Sequence, residues 1–266
     1  MASERPPVVM VFGGLDPSGG AGLQADIETL ASLGCYAAPV VTAITAQDTQ
    51  GLKQFASVET DLVIAQARAV LEDMPVAAFK TGMLASSITV SAIASILTDY
   101  PDVPLVVDPV LATGAGQALA DEPLEDALRA LLLPRAMLAT PNSIEARRLA
   151  PGADTLDACA HAILTLGCEY VLVTGEHEPT AAVENRLYGD RRLLQTYPWE
   201  RLPGQYHGSG CTLAAACAAT LAHRFDAVSA VAEAQDFAWH ALKHAHRLGM
   251  GQLLPDRFYW ARGDEE

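Results

Sequence analysis

Short apolar runs alternate along this chain with longer stretches in which apolar positions recur every three or four residues. The short runs are "VVMVFG" (8–13), "AAPVVTAIT" (37–45), "AAFKTG" (77–82), "PLVVDPV" (104–110), "AMLATPN" (136–142) and "YVLVTG" (170–175). The longer stretches include "LQADIETLASLG", "TDLVIAQARAVLEDM", "ITVSAIASILTDY", "SIEARRLA", "TLDACAHAILTLG", "CTLAAACAATLAHRF" and "SAVAEAQDFAWHALKHAHRLG". Apolar runs that are continuous rather than alternating predict strands buried on both faces, and the stretches between them predict helices that cover those faces. The rhythm therefore predicts an α/β fold in three αβα layers around a mainly parallel central sheet. No repeat, linker or low-complexity block interrupts it, so residues 1–266 are expected to form one domain.

Nearly every predicted strand runs into Gly, Asp, Asn or Thr: Gly13-Gly14, Thr45-Ala46-Gln47, Thr81-Gly82-Met83, Asp108-Pro109, Pro141-Asn142 and Thr174-Gly175. Any one of these is an ordinary turn residue. In an open parallel sheet, however, ligands bind outside the carboxyl ends of the strands, so the topology gathers the whole set at one cleft.

Charge narrows what that cleft can serve. With 17 Lys+Arg against 32 Asp+Glu the formal charge is −15, which excludes broad binding to nucleic-acid phosphates or an anionic membrane surface. A phosphate ligand would need a local source of positive potential. No segment approaches the ~20 apolar residues of a membrane span, and residues 1–7 lack a signal-peptide layout, so a cytoplasmic protein is expected. The five cysteines include no CxxC pair, and an odd number argues against a disulfide framework. Cys35, Cys159, Cys168 and Cys217 read as small buried hydrophobes.

Two glycine loops offer the local potential. "GGLDPSGGAGLQAD" joins the first strand to the first long helix, and its glycines allow the backbone to approach a ligand closely. Its spacing is neither a dinucleotide fingerprint nor a P-loop. Asp26 falls early in the following helix, where a carboxylate benefits from the helix dipole. In "HGSGCTLAAAC", Gly208, Ser209 and Gly210 precede a helix starting near Cys211, so converging backbone N–H groups predict an anion hole suited to a migrating phosphoryl group. Such dipoles, with a bound Mg²⁺, could stand in for lysines. The same helix start is expected to lower the pKa of Cys211 and favour its thiolate. A thiol acyl-transfer enzyme with His207, His177 or His161 as base is the competing chemistry, but none of these histidines has a recommending spacing and the other loops would be left unexplained.

"DPSGGAGLQADIETLASLG", "TAITAQDTQG", "KTGML", "VVDPV", "TPNSIEA" and "HGSGCTL" occur in this order between about residue 8 and residue 225. Together they resemble the hydroxymethylpyrimidine/phosphomethylpyrimidine kinases of thiamine biosynthesis, in the ribokinase-like superfamily. The resemblance implies a ribokinase-like fold, ATP as donor with Mg²⁺, and 4-amino-5-hydroxymethyl-2-methylpyrimidine as acceptor, its monophosphate then being phosphorylated again. It implies Gln47, Ala21, Asp26, Met83 and Val110 as the pyrimidine pocket, Cys211 with Gly208, Ser209 and Gly210 as the catalytic group, and Asn142, Glu145 and Thr174 as the ATP-phosphate side. Glu145 and Asp108 are the implied metal-organising carboxylates, and a homodimer is the implied assembly. Two departures stand out: "VTGEH", with Thr174 and Glu176, where the resemblance implies a lysine-bearing "VKGGH", and "GGLDP" in place of "GSDP", which puts Leu15 at the pocket. Pyridoxal or pyridoxine kinase activity, and a pyrimidine-binding regulatory protein without catalysis, are the alternatives.

Overall fold

The computed structural model describes residues 5–112 and 119–262. One sheet of nine strands organises them, in the order β3-β2-β1-β4-β5-β6-β7-β8-β9. The strands are β1 (Val8–Leu15), β2 (Tyr36–Asp48), β3 (Gly51–Ser57), β4 (Val76–Thr81), β5 (Leu105–Val107), β6 (Leu138–Ala139), β7 (Tyr170–Val173), β8 (Val183–Gly189) and β9 (Arg192–Trp199). All neighbours from β2 across β1, β4, β5 and β6 to β7 are parallel. Only the edge pairs β2–β3, β7–β8 and β8–β9 are antiparallel.

Among the described residues, eight α-helices flank the sheet: α1 (Gly22–Ser32), α2 (Thr60–Leu71), α3 (Ser87–Leu97), α4 (Glu122–Ala127), α5 (Ser143–Leu149), α6 (Leu156–Thr165), α7 (Ser209–Ala222) and α8 (Ala227–Lys243). Alternation along each strand divides the core. Met10, Phe12, Phe79 and Val107 point to the layer that contains Val63, Ile93 and Ile163, whereas Val9, Val11, Ala78 and Val106 point to the layer of α1, α7 and α8. Both faces of β1 are therefore dry, as its unbroken apolar run predicts. Among the described residues no helix is long and apolar enough to cross a membrane.

Periodicity predicts neither the edge strands nor α4. β8 and β9 ("VENRLYG" and "RLLQTYPW") mix polar and apolar residues without a continuous apolar run, and β9 is only partly covered. Their two-residue turn, Asp190-Arg191, has positive φ at both positions (49° and 58°), the geometry that twists with a hairpin. The helix α7 differs from expectation in another way. It is buried all round, and its alanines and Cys217 let it lie flat on the sheet.

Candidate active site

The carboxyl ends of β1, β4 and β5, the start of α1 and the start of α7 meet at one cleft. Gly208, the N-cap of α7, has φ 83° and ψ 17°, a left-handed conformation that favours glycine. It also needs glycine for space, since a Cβ there would sit 1.9 Å from the Gly20 carbonyl oxygen. The two glycine loops therefore touch backbone to backbone. Beyond the contact Gly208, Ser209 and Cys211 are half-buried and Gly210 is exposed, so the first turn of α7 opens on the cleft.

The loop before α1 is tied by Asp16. Its carboxylate accepts from the Ser18 N–H and hydroxyl (both 2.8 Å), from the Ala21 N–H (2.9 Å) and from His207 Nε2 (2.8 Å). Burial works to raise the Asp16 pKa, but the hydrogen bonds from His207, Ser18 and Ala21 outweigh it and hold the carboxyl below its ordinary value. His207 is thus a buried brace between the loops. His177 pairs with Glu176 at 3.1 Å, and His161 bonds the backbone carbonyls of Asp157 and Arg191, so neither serves Cys211.

Under the cleft lies a cation the sequence motifs do not single out. Lys80 is fully buried, with Nζ 2.9 and 3.1 Å from the two carboxylate oxygens of Asp26 and 3.6 Å from Asp108 Oδ2. Gly82 makes room, since a Cβ there would come within 2.9 Å of that ammonium. Burial alone would lower the Lys80 pKa, but the charges of Asp26 and Asp108 overcome it and hold the lysine protonated. Burial pushes the carboxyls of Asp26 and Asp108 up, and Lys80 pulls both back. Asp26 has no exposed surface, and its carboxylate is turned to Lys80. Contrary to expectation, main-chain dipoles are not the only positive groups here: among the described residues, the two buried Lys or Arg side chains, Lys80 and Arg257, both stand behind this cleft.

Cys211 departs from expectation as well. It retains some surface in the cleft, but burial by the surrounding protein, with Asp108 and Asp26 adding to the effect, pushes its thiol up to about 12 despite Lys80 and the Gly22 N–H. Burial outweighs both the helix start and Lys80, and the thiol stays protonated at neutral pH.

Among the other expected acceptor residues, Met83 rests its Sδ against Gly14, and its carbonyl accepts from the Thr42 hydroxyl (2.5 Å). Gln47 is half-buried on the same strand face as Thr45, whose hydroxyl donates to the Leu15 carbonyl (2.9 Å). Ala21 and Val110 are half-buried at their loop positions.

A second group lies toward β6 and β7. Asn142 caps α5 by accepting from the N–H groups of Ile144 and Glu145, and the Glu145 carboxylate accepts from the Asn142 N–H (2.9 Å), which closes a capping box. Burial, with Asp108 close by, pushes the Glu145 carboxyl up to about 8. Thr174 bridges to Asn142, and its carbonyl accepts from the Ser143 N–H. Asp108 connects the two groups. Its Oδ2 is buried without a hydrogen-bond partner among the described residues, as are the hydroxyls of Thr140 and Ser143 nearby in sequence to this second group.

A cleft at the strand ends, bounded by glycine loops and a helix start and backed by buried charge, defines a small-molecule phosphotransferase of ribokinase-like architecture. Residues 16–256 match the family model described as phosphomethylpyrimidine kinase, and the chain belongs to that family. It is 42% identical over 252 residues to the hydroxymethylpyrimidine/phosphomethylpyrimidine kinase of Mycobacterium tuberculosis, covering 92% of each chain. The crystal structure of phosphomethylpyrimidine kinase from Clostridium difficile superposes with a TM-score of 0.76 at 32% identity, over 88% of this chain and 97% of that one. The ADP complex of Bacillus subtilis pyridoxal kinase superposes at 0.87 with 28% identity, over 96% and 99%. The chain is accordingly a kinase, and relatives that include bifunctional thiamine biosynthesis proteins set it in that pathway.

Proposed function

We propose that this chain transfers the γ-phosphoryl group of ATP to the hydroxymethyl oxygen of 4-amino-5-hydroxymethyl-2-methylpyrimidine, and then phosphorylates the resulting monophosphate. The observation that carries this reading is the convergence of Cys211 and the open first turn of α7 on the Lys80–Asp26–Asp108 group, in a chain of this family. In the proposed site the Gln47 amide, which can donate and accept at once, reads the aminopyrimidine edge, and Met83, Val110 and Ala21 hold the ring. The N–H groups of residues 208–211 meet the phosphoryl oxygens. Cys211 acts as a neutral thiol beside Asp108, orienting the acceptor hydroxyl rather than ionising it. Such orientation is enough, because phosphoryl transfer is largely dissociative and the hydroxyl proton can leave late.

Asn142, Glu145 and Thr174 form the proposed ATP-phosphate side. The Asp108 Oδ2, which accepts no hydrogen bond among the described residues, and the neighbouring Glu145 carboxylate suit Mg²⁺, which keeps waters and binds through few protein carboxylates. When bound, that ion would offset charge on the ATP phosphates. Glu145 already accepts from the Asn142 N–H, so it would act on hydrated metal through water. The enzyme is proposed to work as a single-domain subunit of a homodimer in the cytoplasm.

The B. subtilis superposition favours a second reading, phosphorylation of pyridoxal. Incubation with Mg·ATP and each acceptor, followed by chromatography of the products, separates the two. The proposal expects pyrimidine monophosphate followed by diphosphate. Turnover of pyridoxal without turnover of the hydroxymethylpyrimidine would reject it.

A further inference from the structure

Arg257 is 2% exposed and comes from a segment beyond the last helix, far in sequence from every motif of the site. Its guanidinium reaches three elements. Nε donates to the Thr212 hydroxyl on α7 (3.0 Å), Nη2 to the Gly20 carbonyl (2.5 Å), and Nη1 to Glu28 on α1 (3.0 Å) and the Gly19 carbonyl (3.5 Å). We propose that Arg257 is a positioning residue for phosphoryl transfer: it locks the glycine loop of residues 16–21 to the first turn of α7 and so aims the amides of Ser209 and Gly210 into the cleft. The inference rests on the reading that those amides meet the phosphoryl oxygens.

The link to the amides is a short relay. Thr212 accepts from Arg257 and passes its own hydroxyl hydrogen to the Gly208 carbonyl (2.8 Å). A planar trans peptide points its C=O and N–H in opposite directions, so holding the Gly208 carbonyl back turns the Ser209 N–H forward. At the contact itself the Gly20 oxygen abuts Gly208 directly. That same oxygen is the one Nη2 grips. The Asp16–His207 pair ties the two loops beside this point, and Arg257 holds the Gly20 and Gly208 carbonyls from behind it. The segment carrying it is seated on the parts it joins: Leu253 O accepts from the His207 N–H (2.9 Å), and the Asp256 N–H donates to Ala241 O at the end of α8 (2.9 Å). Lysine cannot substitute, since a single ammonium lacks the planar fork that meets acceptors on separate elements.

The test compares Arg257→Gln, Arg257→Lys and Thr212→Val in steady-state turnover of the hydroxymethylpyrimidine with Mg·ATP. Loss of register is expected to lower kcat of Arg257→Gln by ~100-fold while KM for the pyrimidine changes less than about threefold. Thr212→Val, which keeps the side-chain shape, should lower kcat in the same way by roughly tenfold, and the double variant should be no worse than Arg257→Gln because both cut one relay. Arg257→Lys should not recover turnover. Wild-type kcat in a folded Arg257→Gln or Arg257→Lys protein, or in Thr212→Val should Arg257→Gln not fold, overturns the proposal, as do losses that multiply in the double variant. Amide resonances of Ser209 and Gly210 separate this failure from failure of the underlying reading. If they do not move in wild type on addition of Mg·ADP with aluminium fluoride, the amides do not meet the phosphoryl group. If they move equally in wild type and Arg257→Gln, only the role of Arg257 falls.

Discussion

The two sides of the cleft are built by different means. On the side proposed for the acceptor, charge is buried: Lys80 under Gly82, Asp16 with His207 between the loops, and Arg257 behind Gly20. On the side proposed for the nucleotide, beyond Thr174, the ionic contacts lie at the surface. Arg147 pairs with Glu178, Glu176 pairs with His177, and Arg201 ties the loop by donating to the carbonyls of Glu176, Glu178 and Thr180. Groups excluded from water act strongly at short range and are little screened, whereas surface pairs contribute little and fade with salt. An acidic chain can thus keep a few cations, each paired with a carboxylate, where solvent cannot dilute them, without a basic face.

The largest effect expected from this contrast is on stability. Lys80→Met would leave Asp26 and Asp108 buried without their cation, and chemical denaturation should show a loss of ~3–5 kcal/mol. A loss below about 1 kcal/mol would mean the carboxylates are not charged in the native state. Next in size, Cys211→Ala should lower kcat by ~100-fold or more while binding of the pyrimidine is nearly preserved. Unchanged turnover would make the thiol a spectator, and a fall in affinity as steep as the fall in kcat would make it a binding group.

Much of this contrast is hidden in sequence for identifiable reasons. The parallel strands announce themselves through apolar runs, and the glycine loops through spacing, so the central sheet and both loops are legible. Lys80 is present in the motif "KTGML", but nothing local shows that it points inward to meet Asp26, which lies 54 residues earlier. Arg257 is 45 residues from Thr212 and 229 from Glu28, so only the tertiary fold pairs them. A helix start taken alone favours a Cys211 thiolate. Burial by the surrounding fold overrides it, with Asp108 and Asp26 adding to the effect from other elements. The hairpin of β8 and β9 is marked in sequence only by the "GDR" turn, a weak signal beside the apolar strands.

Smaller tests sharpen the boundary between the two sides. Gln47→Ala should raise KM for the pyrimidine by an amount equal to about 1–3 kcal/mol, the cost of an unpaired buried polar group, and leave KM for ATP unchanged. Equal kinetics would remove Gln47 from the acceptor pocket. Glu145 gives a pH test. With its carboxyl pushed from 4.5 to about 8, the folded chain keeps a proton that the unfolded chain has released between those values, so its contribution to stability falls as pH rises through that window. Glu145→Gln stays neutral and can still close the capping box, so its Tm should decline less than wild type between about pH 5 and pH 9, by ~5 °C. Parallel curves would show that Glu145 is ionised throughout.

The most direct measurement of the contrast is the salt dependence of turnover, with initial rates recorded at saturating and limiting concentrations of each substrate from ~0.02 to ~0.5 M KCl. A site that aims the phosphoryl group with buried cations and amides predicts a rising KM for ATP, with kcat and KM for the pyrimidine constant within about twofold. A kcat that declines with salt in step with the affinity for ATP would contradict it, because solvent-exposed charge would then be carrying the transfer.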